Sequence, residues 1–164
     1  MQSSCCGFLH RARGVQRTHS RGLASEVFDR AIKRHHRQRA ALSPDIGSYT
    51  YLRDEVAERL LERLEDIHES YVFDHAVDLG CGTGHVRRAL DGRGAKKLTE
   101  CDSSPAMLAV SAADHAANPS DFEVAQLHLD EEMPGLEPHS AELITSSMNL
   151  HWVNELPGTL LAHT

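Results

Sequence analysis

The chain has 164 residues, enough for one domain and too few for two. It is 40% hydrophobic, 25% charged and 5% aromatic, with a net charge of −7. This excludes a disulfide scaffold and a disordered polyelectrolyte, and no run of about 18 uncharged apolar residues provides an integral membrane span.

Residues 1–25 hold Arg11, Arg13, Arg17 and Arg21 and no acid, with Ser3, Ser4, Ser20 and Ser25 between them. That is the composition of an organelle transit peptide, and composition alone leaves mitochondrion and chloroplast open. Without this leader the net charge falls from −7 to −11. So acidic a body repels phosphate backbones and argues against nucleic acid as a partner.

Residues 26–70 read as two N-terminal helices. The first covers 26–42, with Val27, Ala31 and Ile32 at helical spacing, and Ser43-Pro44-Asp45-Ile46-Gly47 breaks it. The second covers 49–67, with an apolar stripe of Leu52, Val56, Leu60, Leu64 and Ile67 and a solvated Glu55–Arg59 pair. Both are expected to pack against a sheet.

From residue 71 the pattern alternates. Strands are expected at 75–79, 97–101, 122–127 and 142–147, and helices at 84–91 and 104–117. Strand–helix alternation at this spacing predicts an α/β, Rossmann-like fold with a parallel sheet.

The first strand runs into Val77-Asp78-Leu79-Gly80-Cys81-Gly82-Thr83-Gly84. Gly80, Gly82 and Gly84 fall where a buried strand becomes a helix, so a ligand can approach backbone N–H groups and the helix N-terminus closely. An ordinary tight turn would use the same residues. Asp102 ends the second strand, 18 residues after Gly84. A carboxylate there accepts hydrogen bonds from a ribose diol, although capping of the next helix is an alternative role. The glycines lack the Gly-x-Gly-x-x-Gly spacing of NAD-binding folds, and Asp78 stands two positions before the first of them. An anionic side chain there repels a pyrophosphate and favours the sulfonium or amino group of S-adenosylmethionine.

These residues resemble the first signature of class I S-adenosylmethionine-dependent methyltransferases. Cys101-Asp102-Ser103-Ser104-Pro105-Ala106-Met107-Leu108 resembles the second, and Leu129-Asp130-Glu131-Glu132-Met133-Pro134 the third. The resemblance implies Asp102 on the ribose, Met107 beside adenine and Asp130 on the adenine amino group. It covers residues 71–164 as the cofactor-binding domain. The chain stops after the fourth strand, short of strands five to seven of such a fold.

The run Ser146-Ser147-Met148-Asn149-Leu150-His151-Trp152-Val153-Asn154-Glu155-Leu156-Pro157, with Phe28-Asp29-Arg30 and Gln38-Arg39-x-Ala41, is similar to the family of mitochondrial complex I assembly factor 5. That family is related to the malonyl-acyl-carrier-protein methyltransferase of biotin synthesis. The resemblance implies a mitochondrial transit peptide, a place in the matrix or on the matrix face of the inner membrane, and a complex I subunit as protein partner. It also implies arginine hydroxylation of that subunit. Ala141-Glu142 departs from the usual Phe-Asp, and the preceding loop is slightly longer. Carboxyl O-methylation and a non-catalytic scaffold are the alternatives.

His151 and Trp152 follow the fourth strand and are candidates for substrate contact, or for a packed pair that closes the sheet. His35, His36, His85 and His128 read as surface or loop histidines. No metal site is expected, and no set of two histidines and a carboxylate stands out for an oxidising metal, so hydroxylation rests on the resemblance alone. Cys5 and Cys6 lie in the leader, and Cys81 and Cys101 form no Cys-x-x-Cys pair.

Overall fold

The computed structural model describes residues 26–66, 71–133 and 135–162. The transit segment 1–25 and Ile67 lie outside the described residues.

α1 spans Arg30–Ala41 and starts at Asp29, whose carboxylate accepts the Ile32 N–H at 2.9 Å. Its expected apolar side is not buried: Val27 is 71% exposed and Ile32 51%. Within α1 only Ala41 is buried, and the helix lies along α4 rather than on the sheet. α2 spans Tyr51–Leu61 between two short 3₁₀ turns. Its buried residues are Ala57 and Leu61, while Leu52 and Leu60 face solvent. The helix is rotated by about one residue from the expected stripe, because Asp54 turns inward to meet His85 and Arg88. The expected Glu55–Arg59 pair forms on the wet side at 2.7 Å.

The alternation that follows is β1 Ala76–Leu79, α3 His85–Leu90, β2 Lys97–Asp102, α4 Pro105–Ala117, β3 Glu123–His128, β4 Leu143–Thr145 and α5 Leu156–Ala162. The four strands form one parallel sheet in the order β3-β2-β1-β4. β1 is buried along its whole length, as an interior parallel strand should be. One face of the sheet carries Ala76 and Leu98 against Val86, Ala89 and Leu90 of α3 and Ala57 and Leu61 of α2. The other carries Val77, Leu79 and Cys101 under Leu129, Leu136 and Ala141. Ser104 caps α4 and Pro105 supplies its first turn.

The chain steps outward from β1 to β2 to β3, then returns to place β4 on the other side of β1. Such a reversal opens a crevice at the carboxyl ends of β1 and β4. No described helix is long and apolar enough to cross a membrane.

Candidate functional site

The crevice is floored by the turn after β1. Gly80, Gly82 and Gly84 all take left-handed backbone angles, with φ of 80°, 59° and 82°. At Gly80 a Cβ would lie 2.2 Å from the side chain of Asn149, and at Gly84 it would lie 2.4 Å from Ser111 Oγ. Two of the three glycines are therefore required by space as well as by angle. Met148, just before Asn149, also takes a left-handed angle, φ 52°.

Asp102 is fully buried at the end of β2. One oxygen accepts the Gly82 N–H at 2.9 Å, and the other accepts the Ser104 N–H at 2.8 Å. The helix cap is Ser104, so Asp102 is not itself the N-cap. Arg37 of α1 completes its shell, donating from Nε at 3.2 Å and from Nη2 to the second oxygen. Arg37 also donates to Asn149 Oδ1 at 2.6 Å.

Asp78 is buried on β1. Thr145 Oγ1 approaches one oxygen at 3.4 Å, and the other has no hydrogen-bond partner among the described residues. Burial, with Glu100 and Asp102 nearby, pushes its pKa well above the usual carboxylate range. In the ligand-free chain the neutral form of Asp78 is thus favoured over the charge expected of it. Glu100, its neighbour across the strand pair, is satisfied by Ser111 at 2.7 Å and by Gln126 at 3.1 Å.

Asp130 and Glu131 leave the end of β3 and meet Arg30 of α1 at 2.9 and 2.7 Å. Glu131 also accepts from Asn149 at 2.9 Å. Met107 is buried in the first turn of α4 and does not line the cleft. Trp152 does line it, held edge-on by Phe28 at 5.3 Å with Lys33 Nζ 3.0 Å above its ring. His151 is exposed in the same 3₁₀ turn, does not line the cleft, and its ring lies 4.8 Å from that of Trp152. What remains open is a cleft of about 190 Å³ between α1 and the strand ends, lined by Arg30, Lys33, Arg37, Ser103, Asn149 and Trp152.

The structure thus places Trp152 on the lining of this cleft and sets Asp102, Gly80 and Asp130 behind it, where the lining residues Arg37 and Arg30 reach them, with Gly82 bonded to Asp102. It adds Arg30, Arg37 and Asn149, which the sequence reading did not single out as site residues. The available signal was the spacing Arg30, Lys33, Arg37, one face of a helix. His85 corrects an expectation. It is buried, not on the surface, with Nδ1 2.8 Å from Asp54 and Nε2 3.0 Å from Thr83 Oγ1. Burial lowers its pKa from the ordinary 6.5. His35, His36 and His128 are exposed. Cys81 and Cys101 are buried free thiols.

A parallel sheet with a glycine-lined turn at its topological switch and a carboxylate ending the next strand defines a Rossmann-like nucleoside-binding domain. Residues 77–162 match the family described as "Methyltransferase domain", and the chain belongs to that family. Among curated proteins it is 34% identical over 140 residues to "Arginine-hydroxylase NDUFAF5, mitochondrial" of Mus musculus, covering 84% of this chain and 38% of that protein. It is 31% identical over 134 residues to "Malonyl-[acyl-carrier protein] O-methyltransferase" of Methylovorus sp., covering 79% of this chain and 44% of the relative. The chain therefore spans less than half the length of these relatives. A solved S-adenosylmethionine-dependent methyltransferase from Clostridium acetobutylicum superposes with a TM-score of 0.54 at 18% identity, over 80% of this chain and 51% of that one. At that identity the likeness establishes the fold.

Proposed function

We propose that the cleft binds S-adenosylmethionine and that the chain serves mitochondrial complex I assembly by hydroxylating an arginine on a complex I subunit. The observation that carries the cofactor reading is Asp102. It is a fully buried carboxylate, set by the Gly82 and Ser104 amides at the mouth of a turn too tight for side chains. In this reading Asp102 accepts from the ribose diol and Asp130 from the adenine amino group, with Met107 behind the adenine. Gly80, Gly82 and Gly84 let the ligand approach the backbone. The unpartnered oxygen of Asp78 suits a ligand amino group, and a nearby sulfonium would favour the charged form of this carboxyl. Trp152, which lines the cleft, faces the acceptor, with His151 packed beside it. When bound, the cofactor would supply an electrophilic methyl group, which serves the methyl-transfer alternative by proximity; hydroxylation needs in addition an oxygen donor, dioxygen with a two-electron reductant.

The test is calorimetric titration of the full chain with S-adenosylmethionine. Asp102→Ala should lose roughly 1.5–3 kcal/mol of binding, the range for a hydrogen bond to a charged group. Equal affinity in the variant would remove Asp102 from the ribose.

The arginine-hydroxylase reading rests on the names of the relatives and on the Leu150–Pro157 run. Mass spectrometry of complex I subunits from cells lacking the gene tests it. Loss of an arginine modification with the mass of one oxygen atom supports it, and loss of a methyl group favours the alternative. Residues 1–25 fused to a fluorescent protein should reach mitochondria, and a diffuse cytosolic signal would count against this location.

One observation favours carboxyl O-methylation as the second reading. Lys33, Arg34 and His36 line the cleft with no carboxylate partner among the described residues. That surrounding suits an anionic acceptor better than a guanidinium. Methyl transfer to a carboxylate substrate in place of arginine oxidation would decide for it.

A further inference from the structure

We infer that α1 is a strap that closes the cleft in the ligand-free chain, latched by Arg37 on Asp102 and by Arg30 on Asp130. The inference rests on the cofactor reading of these two carboxylates.

Arg30 and Arg37 stand seven positions apart, two turns along one face of α1. Each grips one of the two acids that the ligand requires. Around Asp102 every acceptor position is taken. The Gly82 and Ser104 amides are fixed backbone donors, and Arg37 fills what is left. A ribose diol cannot donate to Asp102 until Arg37 withdraws. Arg30 does the same at the other end, held by Asp130, Glu131 and the Trp152 carbonyl at 3.2 Å.

The rest of α1 is built to let go. Ala41 is its one buried residue, and Ile32 is half exposed. Little apolar surface holds the helix down, so its attachment is mainly polar. Besides the two arginines, Gln38 accepts from Ser104 Oγ at 3.0 Å and Lys33 sits over Trp152. Polar contacts of this kind can be exchanged for contacts to a ligand, whereas apolar burial would have to be lost outright. The latch lowers apparent affinity by the fraction of time that α1 is open.

Trp152 is the single tryptophan and is contacted by Arg30 and Lys33 of α1, so its fluorescence reports the strap directly. Acrylamide quenching of Trp152 and calorimetric titration with S-adenosylmethionine are measured on the full chain as wild type, Arg37→Gln and Arg30→Gln. Arg30→Gln leaves the Asp102 shell intact and serves if Arg37→Gln does not fold. A freed latch predicts stronger quenching before ligand is added, and binding tighter by roughly tenfold, the equivalent of one such contact. Weaker binding in the variants overturns the strap, because the arginines would then be ligand contacts. Unchanged quenching in both variants overturns it as well. Stronger quenching in the variants with no binding by any of the three proteins defeats the cofactor reading and leaves the closing contact supported.

Discussion

Asn149 lies over Gly80 so closely that a Cβ built on the glycine would come within 2.2 Å of the asparagine amide. The contact ties the turn after β1 to the loop after β4, the two sides of the crevice. Gly80→Ala should pay twice, about 1–2 kcal/mol for a left-handed alanine and about 1–3 kcal/mol for overpacking. Gly92 is the control, with φ 75° and nothing within 4 Å, so Gly92→Ala carries the first cost alone. Urea unfolding of the two variants measures the difference. Equal losses would show that Asn149 yields freely.

Asp78→Asn should gain stability relative to the wild type as the pH rises above 3.8. The folded carboxyl has a pKa well above the ordinary 3.8, because burial and then Glu100 and Asp102 oppose its charge. Its contribution to stability is full below 3.8 and is lost as the pH rises toward the folded value. Asparagine has no proton to lose, so the variant's advantage should grow with pH in urea melts. Under the cofactor reading the same variant binds S-adenosylmethionine more weakly. A difference that stays flat or shrinks as the pH rises above 3.8 would contradict the raised pKa.

His85 has the opposite sign. Burial lowers its pKa below 6.5 despite the Asp54 hydrogen bond, and Arg88 and Arg53 lower it further. The neutral ring is the folded form, so its stability is present above pH 6.5 and is lost as the pH falls toward the folded value. Asp54, Glu58 and Asp114, whose pKa values are lowered from 3.8 or 4.5, act only at more acidic pH. Between about pH 6.5 and 4.5 the wild type should therefore lose stability faster than His85→Gln. Parallel curves across that window would rule His85 out as the titrating group.

Cys81 and Cys101 should resist alkylation in the folded chain. Burial raises the Cys81 pKa well above its ordinary 9.0 and pushes Cys101 up to about 12. The thiolate is the reactive form, and both sulfurs are shielded from reagent. Peptide mass spectrometry after iodoacetamide treatment should find both residues labelled only in denaturant. Labelling in native buffer would mean that the β1–β2 region opens readily.

The sequence by itself determined what depends on near neighbours. The strand–helix alternation, the glycine turn and the place of Asp102 follow from backbone preferences and a period of two or three and a half residues. Gly80, Gly82 and Gly84 were legible because few other residues tolerate those angles. The tertiary structure decided how the elements turn toward one another. The face of α2 moved from Leu52 and Leu60 to Ala57 and Leu61, because His85 and Arg88, more than thirty residues on, draw Asp54 inward. His85 became a buried residue by the same contact. Arg37 reached Asp102 across 65 positions, and Asn149 reached Gly80 across 69. Burial, protonation and access at the cleft are set by which groups share a small volume, and only the folded chain brings those groups together.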